Sequence, residues 1–213
     1  SDLLLGPIFE SATHGYDTLD HMHIDVRLGG DAAFDRLITA CRDMGLQVIL
    51  DGVFNHVSRN HPAVQASLDE AAGRLDPADN PWHGLVRTHV GDNGEPTLDV
   101  FEGHDDLVAL DHSSDKTVDY VARVMNYWLD RGAAGWRLDA AYAVPSAFWA
   151  RVLPQVKATH PDSWVFGEVI HGDYPRIVEE STMDSVTQYE LWKSIQHALE
   201  TENFFELDWN LKR

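Results

Sequence analysis

Short apolar runs alternate along this 213-residue chain with segments in which apolar residues recur at helical spacing. Near-continuous apolar runs predict strands buried on both faces, and their alternation with helices predicts a parallel sheet covered by helices. The predicted strands are residues 3–5, 48–50, 136–138, 164–166 and 186–187. A closed barrel and a doubly wound sheet both fit this alternation, so the pattern alone leaves both open.

Helix signals surround these strands. Helices are predicted at 31–44, from the capping residue Ser114 to the stop at Gly132, from Pro145 to His160, at 175–180, and around 191–199. Between residues 57 and 111 the apolar residues follow neither the helical nor the strand period, and this stretch holds four prolines and a predicted turn at 91–94. A long irregular stretch inside a compact domain is usually functional. We therefore predict an inserted subdomain at 57–111, within a domain formed by 1–56 and 112–213.

The charge balance excludes some classes of partner. The chain has 16 basic and 35 acidic residues and a formal net charge of −19, which disfavours nucleic acid as a partner because phosphate backbones are repelled. No apolar run is long enough to span a bilayer and no signal-peptide pattern is present, so we expect no membrane partner and a cytoplasmic location. The single cysteine, Cys41, excludes an intramolecular disulfide and a zinc–cysteine cluster.

Three of the apolar runs end in a carboxylate, namely Asp51, Asp139 and Glu168. A carboxylate at the end of one buried strand is ordinarily a turn residue. Three in successive parallel strands would meet at the carboxyl edge of the sheet, where α/β proteins place their active sites. Two converging carboxyl groups are what glycoside cleavage needs. On a strand, Arg137 and Asp139 would face the same way, so the guanidinium should keep Asp139 ionised and leave Glu168 as the acid.

Five segments carry a resemblance to a known family. They are His14-Gly-Tyr16-Asp17, Asp51-Gly-Val-Phe-Asn55-His56, Leu107-Val-Ala-Leu110-Asp111, Gly135-Trp-Arg137-Leu-Asp139-Ala140 and Phe166-Gly-Glu168-Val169. In their order and spacing they resemble the α-amylase family of glycoside hydrolases. The resemblance implies an α/β fold that is a partial (β/α)8 TIM barrel, comprising strands two to six with a small inserted subdomain after strand three.

The resemblance also implies a role for each matched residue. Asp139 would form the covalent glycosyl intermediate of a retaining mechanism, and Glu168 would donate and then recover the proton. The implied substrate-binding residues are His14, Tyr16, Asp51, His56 and Arg137. Tyr16 would stack on the sugar, His56 would hydrogen-bond it, Arg137 would orient Asp139, and Asp51 would hold the site together through Arg137.

No cofactor is required by this reading, but a structural calcium is compatible with it. Asn55 and Asp111 fall where many members of the family bind calcium, and oxygen ligands of this kind suit that ion. The implied partner is an α-glucan or maltooligosaccharide, and a homo-oligomer of the full-length protein is a further expectation.

Within the family, the amino-acid sequence from Gly135 to Val186 resembles that of the neopullulanase, cyclomaltodextrinase and maltogenic amylase group. That group acts on α-1,4 and, in some members, α-1,6 linkages. The ending Leu110-Asp111 departs from the group, which has an Asn there, and is closer to ordinary α-amylases.

The third acidic residue of the family lies in an Asn-His-Asp run after strand seven, and no such run follows Glu168. We therefore expect this chain to be a fragment that alone shows little hydrolysis, with the activity belonging to a longer enzyme. The alternative is a natural short chain that binds α-glucan, or a protein partner, without hydrolysis.

Two further histidines, His21 and His23, alternate on an extended stretch. No third metal ligand lies at a sensible spacing, so we expect both to be solvent-facing loop residues. His104 and His112 are likewise expected on the surface of the subdomain.

Overall fold

The structure is a computed structural model, and it describes residues 1–91 and 94–212. The turn predicted at 91–94 contains Asp92 and Asn93, which lie outside the described residues. On either side of them, Thr88–Val90 and Pro96–Leu98 pair as an antiparallel ribbon.

The strands and helices follow each other in this order along the described chain. The strands are β1 (Asp2–Leu4), β2 (Phe9–Ser11), β3 (Thr18–Ile24), β4 (Gln47–Gly52), β5 (His56–Ser58), β6 (Thr88–Val90), β7 (Pro96–Leu98), β8 (Val100–Phe101), β9 (His104–Ala109), β10 (Gly135–Leu138), β11 (Trp164–Gly167) and β12 (Ser185–Val186). The helices are α1 (Gly30–Asp43), α2 (Pro62–Ala71), α3 (Asp115–Asp130), α4 (Ser146–Thr159), α5 (Tyr174–Ser181), α6 (Tyr189–Thr201) and α7 (Phe205–Lys212).

One five-stranded sheet organises the molecule, in the order β1-β4-β10-β11-β12. Every neighbouring pair in it is parallel. All five strands predicted from the apolar runs are present, and they lie side by side in chain order. Strands whose order follows the chain, with no reversal among them, fit one segment of a barrel better than the two halves of a doubly wound sheet.

The sheet edge at β1 differs from the prediction. Residues 3–5 were predicted to form a buried strand, but Leu3 is 37% and Leu4 48% exposed. β1 pairs with β4 on one side and is the last strand of the sheet on the other. An apolar run predicts burial only where both faces and both edges are covered, and that condition does not hold here.

Helix termini follow the capping signals closely. The hydroxyl of Ser114 accepts a hydrogen bond from the Lys116 amide at the start of α3, and α4 begins directly after Pro145. The apolar face of α3 and the apolar side of α4 meet the sheet around three fully buried tryptophans, Trp128, Trp136 and Trp149. This core fixes β10 and the loop that follows it.

Residues 57–111 contain more regular structure than their sequence indicates. They hold α2, most of the β5–β9–β8 sheet and the β6–β7 ribbon. Buried side chains from this segment, including Val57, Val64 and Leu110, belong to the same apolar cluster as the main sheet. The segment therefore packs directly onto the core. Of its four prolines, Pro62 begins α2 and Pro96 begins β7, while Pro77 and Pro81 lie in the connection between α2 and β6.

Gly135 marks the closest backbone approach within the sheet. A Cβ atom at this position would lie 2.0 Å from the carbonyl oxygen of Trp164 and 3.0 Å from the side chain of Ile49. β10 lies between β4 and β11, so it cannot move away from one neighbour without losing pairing with the other.

We expect Gly135→Ala to lower the free energy of unfolding by about 3 kcal/mol, as overpacking against rigid backbone does. Urea denaturation followed by circular dichroism measures this. The matched control is Gly6→Ala, because Gly6 is exposed and has nothing within 4 Å of the added methyl group. Equal stability of the Gly135→Ala variant and the unmodified protein would show that β10 and β11 are not held this closely.

Candidate active site

The strand register brings the predicted carboxylates together. Arg137 on β10 is paired with Asp51 on β4, and Leu138 is paired with both Gly52 and Gly167. Asp139 and Glu168 each follow directly after their strand. Asp51, Asp139 and Glu168 therefore lie on three adjacent strands at one carboxyl edge of the sheet, as the sequence predicts.

A single guanidinium joins the three carboxylates. Nη1 of Arg137 donates to the two oxygens of Asp51 at 2.6 and 2.7 Å and to Oδ1 of Asp139 at 3.2 Å. Nη2 lies 2.9 Å from Oε1 of Glu168. The side chains are largely buried, with Asp51 only 3% and Arg137 14% exposed. When all three carboxylates are ionised, one positive charge thus faces three negative charges in a poorly hydrated site.

The pKa of Asp139 differs from the expectation. Its pKa is raised to about 6, first because burial disfavours the charged form and then because the Asp51 carboxylate repels it. Arg137 lowers the pKa of Asp139 but does not outweigh those two causes. Arg137 therefore acts on Asp139 in the expected direction, but burial and Asp51 outweigh it, so the pKa of Asp139 is raised and not lowered. Above pH 6 Asp139 still carries its charge, at a cost in stability.

Glu168 has two further partners that were not identified from the sequence. Its Oε2 accepts from the backbone amide of Ala140 at 3.0 Å, and its Oε1 accepts from the hydroxyl of Tyr189 at 3.0 Å. Ala140 has a φ of 46°, in the left-handed region that non-glycine residues seldom adopt. Backbone strain of this kind is found where a site needs a particular geometry. Here it turns the amide after Asp139 toward Glu168.

The sequence did contain a signal for Tyr189. It lies three residues beyond β12, so it follows the carboxyl end of a strand in the same sheet as the three carboxylates. A polar aromatic residue at that edge could have been added to the candidates on the same argument that selected Asp51, Asp139 and Glu168.

Tyr16 and His14 lie on the segment between β2 and β3. The Tyr16 ring is 37% exposed, and the His14 ring lies 6.0 Å away at its side. Nδ1 of His14 accepts from the Tyr16 amide at 3.2 Å, and the His14 amide donates to the buried Asp17 carboxylate at 3.2 Å. These bonds fix the backbone of the segment. The Tyr16 ring is left as an exposed aromatic surface.

His56 is placed differently from the expectation. It is 1% exposed, and both ring nitrogens are used inside the protein. Nε2 donates to the carbonyl oxygen of Tyr16 at 3.1 Å, and Nδ1 accepts from the side-chain amide Nδ2 of Asn55 at 3.1 Å. Burial lowers its pKa to about 4, so the ring is neutral at pH 7. In this structure His56 holds the Tyr16 segment in place and has no nitrogen directed to a ligand.

The two predicted calcium ligands lie on neighbouring segments, since the Leu110 amide donates to the Asn55 carbonyl at 3.1 Å. Asp111 Oδ1, however, accepts from the amide and hydroxyl of Ser113 at 3.0 and 2.6 Å. Within 1–91 and 94–212, no group of three or more His, Cys, Asp or Glu residues could hold a metal ion. Two residues provide too few of the six to eight oxygen ligands that calcium takes, so calcium at this position stays a prediction.

The histidine expectations are half right. His23 and His104 are exposed, but His21 is 0% and His112 is 5% exposed. Nε2 of His21 donates to the Val53 carbonyl at 2.9 Å and Nδ1 accepts from the Tyr120 hydroxyl at 3.0 Å. His112 donates to the Phe54 carbonyl at 3.0 Å. Both are satisfied core residues that fix the loop after Asp51.

Comparison with known proteins gives the family of this site. The family model described as "Alpha amylase, catalytic domain" matches residues 2–207. The chain belongs to the α-amylase family. None of the helices in the described part of this family member is long and apolar enough to cross a membrane.

Several members of the α-amylase family are similar over most of this chain. The maltogenic α-amylase of Bacillus acidopullulyticus is 30% identical over 191 residues, 89% of this chain and 32% of that protein. A Bacillus cyclomaltodextrinase is 31% identical over 185 residues, 86% of this chain and 33% of that protein. The cyclic α-maltosyl-(1→6)-maltose hydrolase of Arthrobacter globiformis, solved in complex with its substrate, superposes with a TM-score of 0.84 at 26% identity.

That superposition covers 99% of this chain and 48% of the hydrolase. The chain thus spans about a third of the length of the curated α-amylase relatives and about half of the solved one. Its fold is accordingly the TIM-barrel-like α/β fold of the family.

Proposed function

We propose that this chain carries the central part of a retaining glycoside hydrolase that cleaves α-1,4-linked glucans and maltooligosaccharides, with α-1,6 linkages as a second class. Asp139 is the nucleophile and Glu168 the acid/base. The observation that supports this most directly is the pairing of both carboxylates with one guanidinium at the carboxyl edge of the sheet. Retaining enzymes need their two carboxyl groups about 5 Å apart, and two carboxylates that share one guanidinium are held near each other.

The reaction needs one carboxylate and one carboxylic acid. Asp139 attacks the anomeric carbon while Glu168 gives its proton to the glycosidic oxygen, so the bond to the leaving sugar breaks as the bond to Asp139 forms. Glu168 then removes a proton from water, and the water oxygen displaces Asp139. Burial and the Asp51 charge raise the pKa of Asp139 to about 6, so Asp139 is ionised and able to attack above that pH.

The residues around the carboxylates suit a neutral sugar. Tyr16 offers a partly exposed ring of the kind on which sugar rings stack. Burial raises the pKa of Tyr16, and the nearby carboxylates, Asp51 first, raise it further. The acidic surface, with a formal net charge of −19, does not repel an uncharged glucan. The printed names of the relatives, maltogenic α-amylase and cyclomaltodextrinase, point to the same class of substrate.

The same proposal assigns each part of the chain to a part of the (β/α)8 barrel. The five parallel strands correspond to barrel strands two to six, 57–111 is an inserted subdomain after strand three, and 1–56 with 112–213 belong to the barrel. Since the chain spans about a third of its curated relatives, the activity is proposed for the full natural polypeptide.

A fluorinated glucosyl fluoride tests the proposal. Its fluoride leaves readily, and the second fluorine slows hydrolysis of the covalent intermediate, so the nucleophile stays labelled. We expect mass spectrometry of peptides from the full natural polypeptide to find one fluoroglucosyl group, on Asp139, and none in the Asp139→Asn variant. Reversible binding of maltooligosaccharides without any label would instead favour a glucan-binding module. A label on another residue would contradict the assignment of the nucleophile.

A further inference from the structure

The turn between β8 and β9 has an unusual residue at its first position. Glu102 has a φ of 49° and the following Gly103 a φ of 79°, while Phe101 and His104 pair across the turn. Two successive left-handed residues make a tight hairpin turn that favours Asn, Asp or Gly at the first position. A glutamate there is strained. The turn itself therefore does not explain why this side chain is present.

The side chain of Glu102 reaches the mouth of the candidate site. Its Oε1 accepts a hydrogen bond from the Tyr142 hydroxyl at 2.9 Å, across 40 residues of sequence. Tyr142 follows Asp139 by three residues, and its backbone amide donates to the Glu168 carbonyl at 3.1 Å. The charges of Glu168 and Asp139 contribute, after burial and Glu102, to raising the pKa of Tyr142 to about 12. Glu102 is thus linked through Tyr142 to the segment that follows Asp139.

The residue before Glu102 anchors the turn. The Phe101 ring stacks on His56 with ring centroids 4.7 Å apart and planes 20° apart. His56 in turn holds the Tyr16 carbonyl. The tip of the hairpin is therefore fixed on one side by the Phe101–His56 stack and on the other by the Glu102–Tyr142 hydrogen bond.

Glu102 is also accessible. It is exposed, and within the described part of the chain its second carboxylate oxygen has no hydrogen-bond partner. Tyr142 is 37% exposed. A carboxylate held next to an aromatic ring, at the edge of a site for neutral sugars, accepts hydrogen bonds from hydroxyl groups while the ring contacts the apolar face of the sugar.

We propose that Glu102 is a specificity-determining residue that binds hydroxyl groups of a glucose unit next to the one being cleaved, with Tyr142 orienting its carboxylate. This inference rests on the proposed glycoside hydrolase function. It predicts that Glu102 matters for oligosaccharides and not for a substrate that occupies the cleavage position alone.

The test compares Glu102→Gln with Asp105→Asn, an exposed acidic residue of the same hairpin. In an Asp139→Asn background of the full natural polypeptide, calorimetry should show that Glu102→Gln raises the Kd for maltohexaose about tenfold, the effect of losing hydrogen bonds to a charged acceptor. In the unmodified catalytic background, turnover of α-glucosyl fluoride should be unchanged by Glu102→Gln. Asp105→Asn should alter neither quantity.

Glu102→Gly separates binding from folding, because glycine suits the left-handed turn. This variant should be at least as stable as the unmodified protein in urea and should still bind maltohexaose about tenfold more weakly. Maltohexaose binding that does not depend on residue 102 would overturn this inference alone. Equal loss with α-glucosyl fluoride would overturn it as well. If the polypeptide binds no glucan at all, that result contradicts both the proposed function and this inference.

Discussion

We expect Asp139→Asn to lower the turnover of maltooligosaccharides by the full natural polypeptide on the order of 10⁴-fold or more, because the amide cannot form the covalent glycosyl intermediate. The loss should be in kcat and not in substrate affinity, since the amide fills the same space and can still accept from Arg137. Initial rates with maltotriose and maltohexaose, together with calorimetric binding of both sugars, measure the two quantities separately.

The same substitution should make the protein more stable. The pKa of Asp139 is raised in the folded state from 3.8 to about 6, so the folded state holds a proton that the unfolded state has lost between those pH values. Stability therefore decreases as pH rises from about 4 through 6, and the full penalty is present above pH 6. Removing the charge should raise the free energy of unfolding at pH 7.5 by about 1–3 kcal/mol, and by almost nothing at pH 4.

The control for this pair of measurements is Asp119→Asn on the exposed side of α3, which should change neither turnover nor stability appreciably. An Asp139→Asn variant that is inactive and also less stable at pH 7.5 would mean that the carboxylate is a structural member of the cluster. A variant that keeps its turnover would remove Asp139 from the mechanism.

Glu168→Gln should lower kcat/KM for maltooligosaccharides about 10²–10⁴-fold, the contribution of a general acid. α-Glucosyl fluoride should form the covalent intermediate almost normally, because fluoride leaves without protonation. Hydrolysis of that intermediate should then be slow, because water has lost its general base. Added azide needs no base, and it should restore turnover and give an α-configured glucosyl azide.

The structure gives a second reason to examine this variant closely. Glu168 accepts from Ala140, Tyr189 and Arg137, and a glutamine can keep some of those bonds in one orientation only. Glu179→Gln on α5 is the matched change at an exposed glutamate. Equal rate losses with maltotriose and α-glucosyl fluoride, without azide rescue, would show that Glu168 positions the site and does not transfer the proton.

Apolar runs and capping residues predicted most of the main sheet and its helices. Ser114 and Pro145 gave the starts of α3 and α4 because each acts locally, through a hydrogen bond or a fixed φ angle. The β2–β3 hairpin was missed because its strands are partly polar and joined by an irregular segment. α7 was missed because its apolar residues lie mostly exposed and give no one-sided pattern.

The candidate site was predicted in outline for a related reason. Parallel strands bring their carboxyl ends together whatever the loops do, so Asp51, Asp139 and Glu168 could be grouped from sequence. The pKa of Asp139 could not be predicted from the sequence. It depends on burial and on the position of Arg137, which lies closer to Asp51 than to Asp139. The commitment of both His56 nitrogens also depends on tertiary contacts, with Tyr16 and Asn55.

The sharing of Arg137 by three carboxylates also orders the ways in which such a site can be lost during evolution. Mutating Arg137 first leaves Asp51, Asp139 and Glu168 without a counter-ion in a buried place, and breaking a buried ion pair in this way costs about 3–5 kcal/mol. Neutralising Asp139 first removes its repulsion with the carboxylates of Asp51 and Glu168. A homologue that keeps the fold but has lost catalysis is therefore expected to have lost an acidic residue before the arginine. An arginine that remains where the carboxylates have been substituted would indicate descent from an active enzyme.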